Sequence, residues 1–374
     1  MSPSDDSEED AHARSGVSLE RNESLDTIRS DWERLQLQTY NPFFLSWNWI
    51  GTWLNLADAE VISARVFSQN VLLAMGLFCV REERRHGILR SRVAYLHQSG
   101  SQAEDQIWIE YNGLLGRDCD HTLLVEVATT LLEQNVCDEV HLSMLPIAGL
   151  VEGDELSTRL KNGRPVLKVT GRYRDLRSLR CQSKSSIDGL SANTRSQLRR
   201  ARRRMESLHG PVRLETPKSA GEALAFLHEA GELHRRRWPD SGFLNPIFVD
   251  FHEHLIKRAF DHGFVSLFRV CFGEHTAGVF YFLLDSNRAY FYLQGIRPEA
   301  DGRLKPGLVC HLVLMEHFLE QGLDSYDFMG GDTQYKRQLA DGEMLFHSFR
   351  SHSGHWVLRL EDTFRTLKGR LSAS

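Results

Sequence analysis

Apolar and polar positions follow two similar programmes along this chain. The first opens with a helical pattern around 25–37. It continues into Pro42-Phe-Phe-Leu-Ser-Trp-Asn-Trp-Ile-Gly-Thr-Trp, where Trp49 and Trp53 share a helix face at i, i+4. Strand-like runs at 61–67, 71–80 and 88–96 come next, then a helix over 122–134 and a short strand at 139–143. The second programme repeats that order. A helix over 192–207 leads to a strand at 212–215 and helices over 220–237 and 246–261. Three strands follow at 264–272, 276–284 and 289–295, with Gly273-Glu274 and Ser286-Asn287 as turns. Apolar residues at 308, 312, 315 and 319 have the spacing of a packed helix. A strand at 325–328, a helix from Asp332 and strands around 345–349 and 355–358 complete the pattern. The expected fold class is α/β, with mixed, mostly antiparallel sheets flanked by helices.

Length agrees with two units, because 374 residues exceed the usual size of one hydrophobic core. The division expected is an acidic, disordered tail over 1–22, a first domain over 23–170, a polar, arginine-rich connector over 171–189 and a second domain over 190–374. The tail, with Asp5, Asp6, Glu8, Glu9 and Asp10, lacks the apolar core of a secretory signal. The apolar run 71–80 is about half the ~20 residues that cross a bilayer, so it is expected as a buried strand. These features predict a cytoplasmic chain without membrane insertion. The net charge of −5 gives no global argument for nucleic acid, and no specific DNA partner is expected.

Six scattered cysteines without C-x-x-C pairs predict reduced thiols, and a nucleophilic role for Cys271 or Cys310 would need a base beside it. There is no P-loop, G-x-G-x-x-G, G-x-S-x-G or His-Glu-x-x-His. His252-Glu253-His254 has the wrong spacing for two histidines on one helix face, so no metal site is expected.

Candidate chemistry concentrates between Ala289 and Lys336. A strand runs into Arg303-Leu-Lys-Pro-Gly-Leu-Val, a basic loop opening a helix; Tyr326-Asp-Phe-Met-Gly-Gly-Asp-Thr-Gln-Tyr-Lys follows. A helix N-terminus offers unpaired N–H groups and a partial positive charge to an anion. Pro306 suits the first helical turn and Gly307 permits close backbone approach.

This segment, together with Leu190-Ser-Ala-Asn-Thr-Arg-Ser-Gln-Leu-Arg-Arg-Ala-Arg-Arg-Arg-Met and Leu233-His-Arg-Arg-Arg-Trp, resembles the GNAT acetyltransferases of the cellulose-biosynthesis (CelD-like) type. These are related in fold to the Fem-type transferases, which carry two GNAT-like domains in tandem. The resemblance implies tandem GNAT-like domains and transfer of an acyl group from acetyl-CoA, or another acyl-CoA, to an amine or hydroxyl. It also implies a place in polysaccharide or cell-envelope biosynthesis, with a small-molecule or glycan-type acceptor that can be anionic. Two alternatives stay open: a Fem-like ligase using aminoacyl-tRNA, and a non-catalytic accessory protein of polysaccharide assembly. The usual GNAT phosphate loop is Arg/Gln-x-x-Gly-x-Gly/Ala. Here one extra residue precedes Gly307, and Val309 stands where a second small residue would fall.

The resemblance also assigns residues. Arg303, Lys305, Gly307 and Leu308 would hold the donor's pyrophosphate, with Gln294, Gly295 and Ile296 alongside the rest of the donor. Tyr335 would protonate the leaving thiolate, or else pack the last helix on the sheet. Lys336 would stabilise negative charge, or lie on the surface. Asp327 could be a general base or a structural hydrogen-bond partner. Asp332 is an N-cap candidate first and a substrate contact second. Arg195, Arg199, Arg237, Trp238 and Tyr292 are candidates for the acceptor. Arginines cover several sides of the 192–207 helix, which argues against a single groove-reading face and leaves a solvated helix as the plain alternative.

Overall fold

The computed structural model describes residues 16–85, 89–116, 121–147, 150–356, 358, 359 and 361. In chain order, the first half comprises β1 (Gly16–Arg21), α1 (Leu25–Gln36), α2 (Trp47–Leu56), β2 (Val61–Ser68), β3 (Val71–Arg85) and β4 (Leu89–Leu96). It continues with β5 (Leu115–Gly116), α3 (His121–Glu133), β6 (Glu139–Ile147), α4 (Leu150–Arg159) and β7 (Arg164–Asp175). After α5 (Leu176–Cys181), the second half holds α6 (Ala192–His209), β8 (Val212–Glu215), α7 (Ala220–Arg237), α8 (Pro246–Ala259), β9 (Val265–Phe272) and β10 (His275–Leu284). It ends with β11 (Arg288–Ile296), α9 (Pro306–Glu320), β12 (Ser325–Gly330), α10 (Gln334–Leu339) and β13 (Gly342–His352).

Serine starts four of the helices in the same way. Ser24, Ser46, Ser191 and Ser219 each accept a bond from the backbone N–H three residues on, pairing a donor that the helix leaves free.

The strands form one sheet in the order β1-β2-β3-β4-β6-β13-β7-β12-β11-β10-β9-β8, with β5 beside β3. Read from the two ends inward, β1-β2-β3-β4-β6 matches β8-β9-β10-β11-β12. In each half the strands are antiparallel until the last pair, β4 with β6 and β11 with β12, which is parallel. The two halves thus share one α/β plan, a mixed sheet flanked by helices, as the repeated sequence pattern predicts. The halves then exchange strands. The first half's β7 pairs with β12, and the second half's β13 pairs with β6; β7 and β13 also pair with each other.

Three apolar clusters follow from this plan. One lies under α3 in the first half and one under α6 and α9 in the second. The third joins the halves, with Phe44, Trp49, Phe251 and Tyr290 buried in it. Trp49 packs edge-on against Phe251 at 4.7 Å and Phe44 against Tyr290 at 5.7 Å.

The fold corrects four expectations. The tail is shorter than 1–22, because residues 16–21 pair with β2 as an edge strand; residues 1–15 lie outside the described set. The stretch 171–189 holds the end of β7 and all of α5 rather than a bare connector, and Arg174 within it is fully buried. A single strand, β13, replaces the two expected near 345–358. Asp332 is not an N-cap: Thr333 occupies that position, and Asp332 turns away to Arg172 and Arg337.

Candidate active site

β11 and β12 are paired only over Arg288–Tyr290 and Ser325–Asp327, and then they part. Both strands are distorted where they separate. On β11 the register with β10 passes from Leu293 to Phe291, so Tyr292 is bulged out of the ladder and side chains on either side of it reach the opening. On β12, Met329 takes a left-handed φ of 60° and the register with β7 shifts between Asp327 and Gly330. The gap is a cleft of about 790 Å³, lined from both strands, from the start of α9, from α10 and from the end of α7.

At one end of the cleft lies the N-terminus of α9. Lys305 is its N-cap residue in a left-handed conformation, Pro306 is the first helical residue, and no side chain caps the turn. The N–H groups of Gly307 and Leu308 therefore face the cleft without intrahelical acceptors. Lys305, Gly307 and Leu308 all line it, and a Cβ built on Gly307 would meet nothing closer than 3.9 Å. Gln294 and Ile296 line the same wall, and Gln294 Oε1 is buried without a hydrogen-bond partner. Gly295 faces away, where any side chain would collide with Ala230 of α7. Arg303 also departs from expectation: it is exposed and holds Asp301 in a bidentate pair at 2.8–3.0 Å, outside the cleft lining.

The same cleft is lined by Tyr335, Lys336 and Glu110. Tyr335 stacks on the buried ring of His311, centroids 5.2 Å apart, and burial raises its hydroxyl above the ordinary phenol range. His311 bonds Tyr326 Oη through Nδ1 at 2.7 Å, leaves Nε2 unpaired, and is pushed down to about 3 by burial. Lys336 is buried and donates to the carbonyls of Gly330 at 2.5 Å and Met329 at 3.3 Å, which steadies the distorted end of β12. Burial lowers its ammonium pKa, opposed by the charge of Glu110.

Glu110 escaped the sequence reading. It comes from the first half, on the loop that leaves a short turn at Asp105–Ile107. Its Oε2 accepts the Gly330 N–H at 2.8 Å, while the carboxyl lines the cleft. Burial pushes its pKa up to about 7; the Gly330 bond opposes that rise and the Asp327 charge adds to it. Trp108, two residues earlier, reaches the same opening, where Trp238 and Arg237 stand on the α7 side. The only sequence signal was an acid set among aromatics in Trp108-Ile-Glu-Tyr.

The remaining candidates separate clearly. Tyr292 lines the cleft, and its hydroxyl donates to the Ile107 carbonyl and contacts His252 at 3.1 Å. Trp238 is half exposed beneath the Arg237 guanidinium at 5.4 Å. Asp327 is 1% exposed and is not a cleft residue: it bonds Tyr111, Arg288 at 2.9 Å and the Met329 N–H at 2.7 Å, and so ties the two halves together. Arg195 and Arg199 lie on α6 away from the cleft, with Arg195 bound to the Leu190 carbonyl. The same helix turns Leu198, Ala201 and Met205 inward, and Arg202 pairs with Glu206 and Glu316. Asp332, held by its two arginines, is also outside the lining. Cys310 is fully buried, its thiol raised by desolvation, which leaves no thiolate for nucleophilic work. No helix among the described residues is long and apolar enough to cross a membrane.

Residues 192–337 match the family model described as an acetyltransferase (GNAT) domain. No curated protein matches the sequence. Among solved structures, the chain resembles FemX, with a TM-score of 0.60 at 12% identity over 91% of this chain and 99% of that one. It also resembles L-PGS from Bacillus licheniformis, at 0.52 and 12% identity over 87% and 92% of the two chains. A third is the C-terminal domain of a putative lysylphosphatidylglycerol synthetase from Agrobacterium fabrum, at 0.51 and 10% identity over 90% and 96%. At these identities the likeness is one of fold.

Proposed function

We propose that the chain transfers an acyl group, acetyl from acetyl-CoA being the simplest, to an amine or hydroxyl acceptor by direct attack within the cleft between β11 and β12. The observation that carries this reading is the arrangement of one cleft. Uncapped N–H groups and Lys305 line it for a pyrophosphate, and a raised carboxyl and a phenol line it for proton transfer. Glu110, as carboxylate, takes the proton from the acceptor as its nitrogen or oxygen attacks the thioester carbonyl. When the carbon–sulfur bond breaks, Tyr335 gives its proton to the departing thiolate. A base with a pKa near 7 is about half deprotonated at neutral pH, and a pKa near the working pH suits proton transfer. Lys336 places positive charge beside Glu110 and fixes the Met329 and Gly330 carbonyls.

The acceptor would enter past Trp108, Trp238 and Arg237. Aromatic faces beside a cation suit a polar ring or glycan, and the charge suits an acidic one. A role in building cell-envelope or polysaccharide material follows as part of the same proposal.

Calorimetric titration with acetyl-CoA tests the donor end. Lys305→Gly keeps the left-handed residue but removes the charge, and should weaken binding about three- to tenfold. Lys305→Glu should weaken it further. Equal affinity in all three proteins would remove the pyrophosphate assignment. Salt-sensitive retention of charged tRNA, with no heat from acetyl-CoA, would move the site to an aminoacyl donor.

A further inference from the structure

Outside the cleft lining, three side chains far apart in sequence converge. His209 ends α6, His275 starts β10, and Glu299 lies on the loop between β11 and α9. The two imidazoles stack nearly parallel, 6° between planes and 3.9 Å between centroids. His275 Nε2 lies 2.6 Å from Glu299 Oε1, and His209 Nε2 is buried without a partner. One ligand-capable atom from each residue falls within 4.8 Å of the other two.

The backbone around this cluster is held firmly. Gly273 has a φ of 53°, and a Cβ on it would sit 2.0 Å from the His209 carbonyl oxygen; its N–H bonds the Pro211 carbonyl at 2.9 Å. The end of α6 is thereby locked against the β9–β10 turn, which presents the His209 ring to His275. The site also lies at a helix C-terminus, where the partial negative charge favours a cation.

We infer that His209, His275 and Glu299 form a site for a first-row divalent cation of the zinc type. Two imidazole nitrogens and one carboxylate oxygen are a common ligand set for Zn²⁺, with a fourth position left for water. Stacked in parallel planes, the two rings do not aim their lone pairs at one point, so binding turns one imidazole out of the stack. The cation then replaces the proton between His275 and Glu299 and gives His209 Nε2 the partner it lacks. Its work would be mechanical. The loop 297–305 is held at its start by Arg297, which bonds the Ala277 and Thr276 carbonyls, and near its end by the local Asp301–Arg303 pair. A cation on Glu299 would pin its middle to α6 and β10, just before the chain enters α9.

The test does not depend on which donor the cleft takes. Chelator-treated, untagged full chain is titrated with Zn²⁺ alone in competition with a chromogenic indicator. One ion per chain is expected, with affinity falling tenfold or more in His275→Ala and in Glu299→Gln, and unchanged in His254→Ala, an exposed histidine elsewhere. Zn²⁺ should also slow hydrogen exchange in 297–305 of the unaltered chain, a readout that survives if a variant folds poorly. No stoichiometric binding, equal binding by His275→Ala, or unchanged exchange in 297–305 would each overturn the site.

Discussion

The two halves of this molecule open their sheets at the same place and do opposite things with the opening. In the second half, β11 and β12 part and leave a cleft of about 790 Å³. In the first, β4 and β6 pair over Val93–Tyr95 and Glu139–His141, and the gap beyond is bridged by the chain itself. Asn112 reaches across, donating to the Leu96 carbonyl at 3.0 Å and from its backbone to the Met144 carbonyl at 3.1 Å; its Oδ1 meets His97 Nδ1 at 2.8 Å. Ser143 adds a bond to Gln98. Each opening even has a left-handed methionine on its inner strand, Met144 at φ 53° and Met329 at φ 60°. The same backbone device thus serves as a mortised joint in one half and an open site in the other. What differs is that bonds from Asn112 and Ser143 cross the first opening, while the second stays open as a cleft. The joint also has a use, because the loop that fills it goes on to deliver Trp108 and Glu110 to the other opening.

Substitutions on the two sides should therefore behave differently. Glu110→Gln keeps an acceptor for the Gly330 N–H but removes the base, so steady-state assays should show turnover reduced about 10²- to 10⁴-fold with the melting temperature little changed. Unchanged turnover would return the open cleft to a binding role. Tyr335→Phe should cost about 10²-fold in turnover, and a thiol-release assay would show no loss if the ring only packs on His311. The pH profile gives the sign. In the proposed mechanism Glu110 accepts the acceptor's proton as carboxylate, so the rate should fall about tenfold per unit as pH drops below about 7, and that limb should vanish in Glu110→Gln. On the filled side, Ser143→Ala should lower stability by about 1 kcal/mol in denaturant titration while kinetic constants stay within about twofold. A kinetic defect there would mean that the first opening is more than a joint. Arg303→Ala should be the mildest, changing acetyl-CoA affinity less than about twofold by calorimetry, because its guanidinium is already spent on Asp301.

Periodic segments were legible in the sequence and aperiodic ones were not. Helices α6, α7 and α9 and strands β9 to β11 lie within a few residues of their expected limits, because each carries an unbroken 3.6- or 2-residue pattern against a core. Strand β7 was hidden by its own composition: Arg164–Asp175 is rich in charge, and only its position between β13 and β12 makes it central. Asp327 stood open between a base and a structural hydrogen-bond partner, and its environment is set by Tyr111 and Arg288, which no local pattern brings near. Lys336 and Tyr335 could be placed because their motif is contiguous. Glu110 could not, since its Gly330 partner belongs to the other half.

The exchange of β7 and β13 carries a consequence for how the chain can be divided. A cut between Gln182 and Ser191 would sever no strand, yet each piece would leave with the strand that completes its neighbour and without the one that completes itself. Expressed apart, both pieces would carry an unpaired sheet edge prone to self-association. Expressed together, each edge would find its complement, so the two polypeptides should reassemble, with recovery of the interhalf strand pairing as the readout.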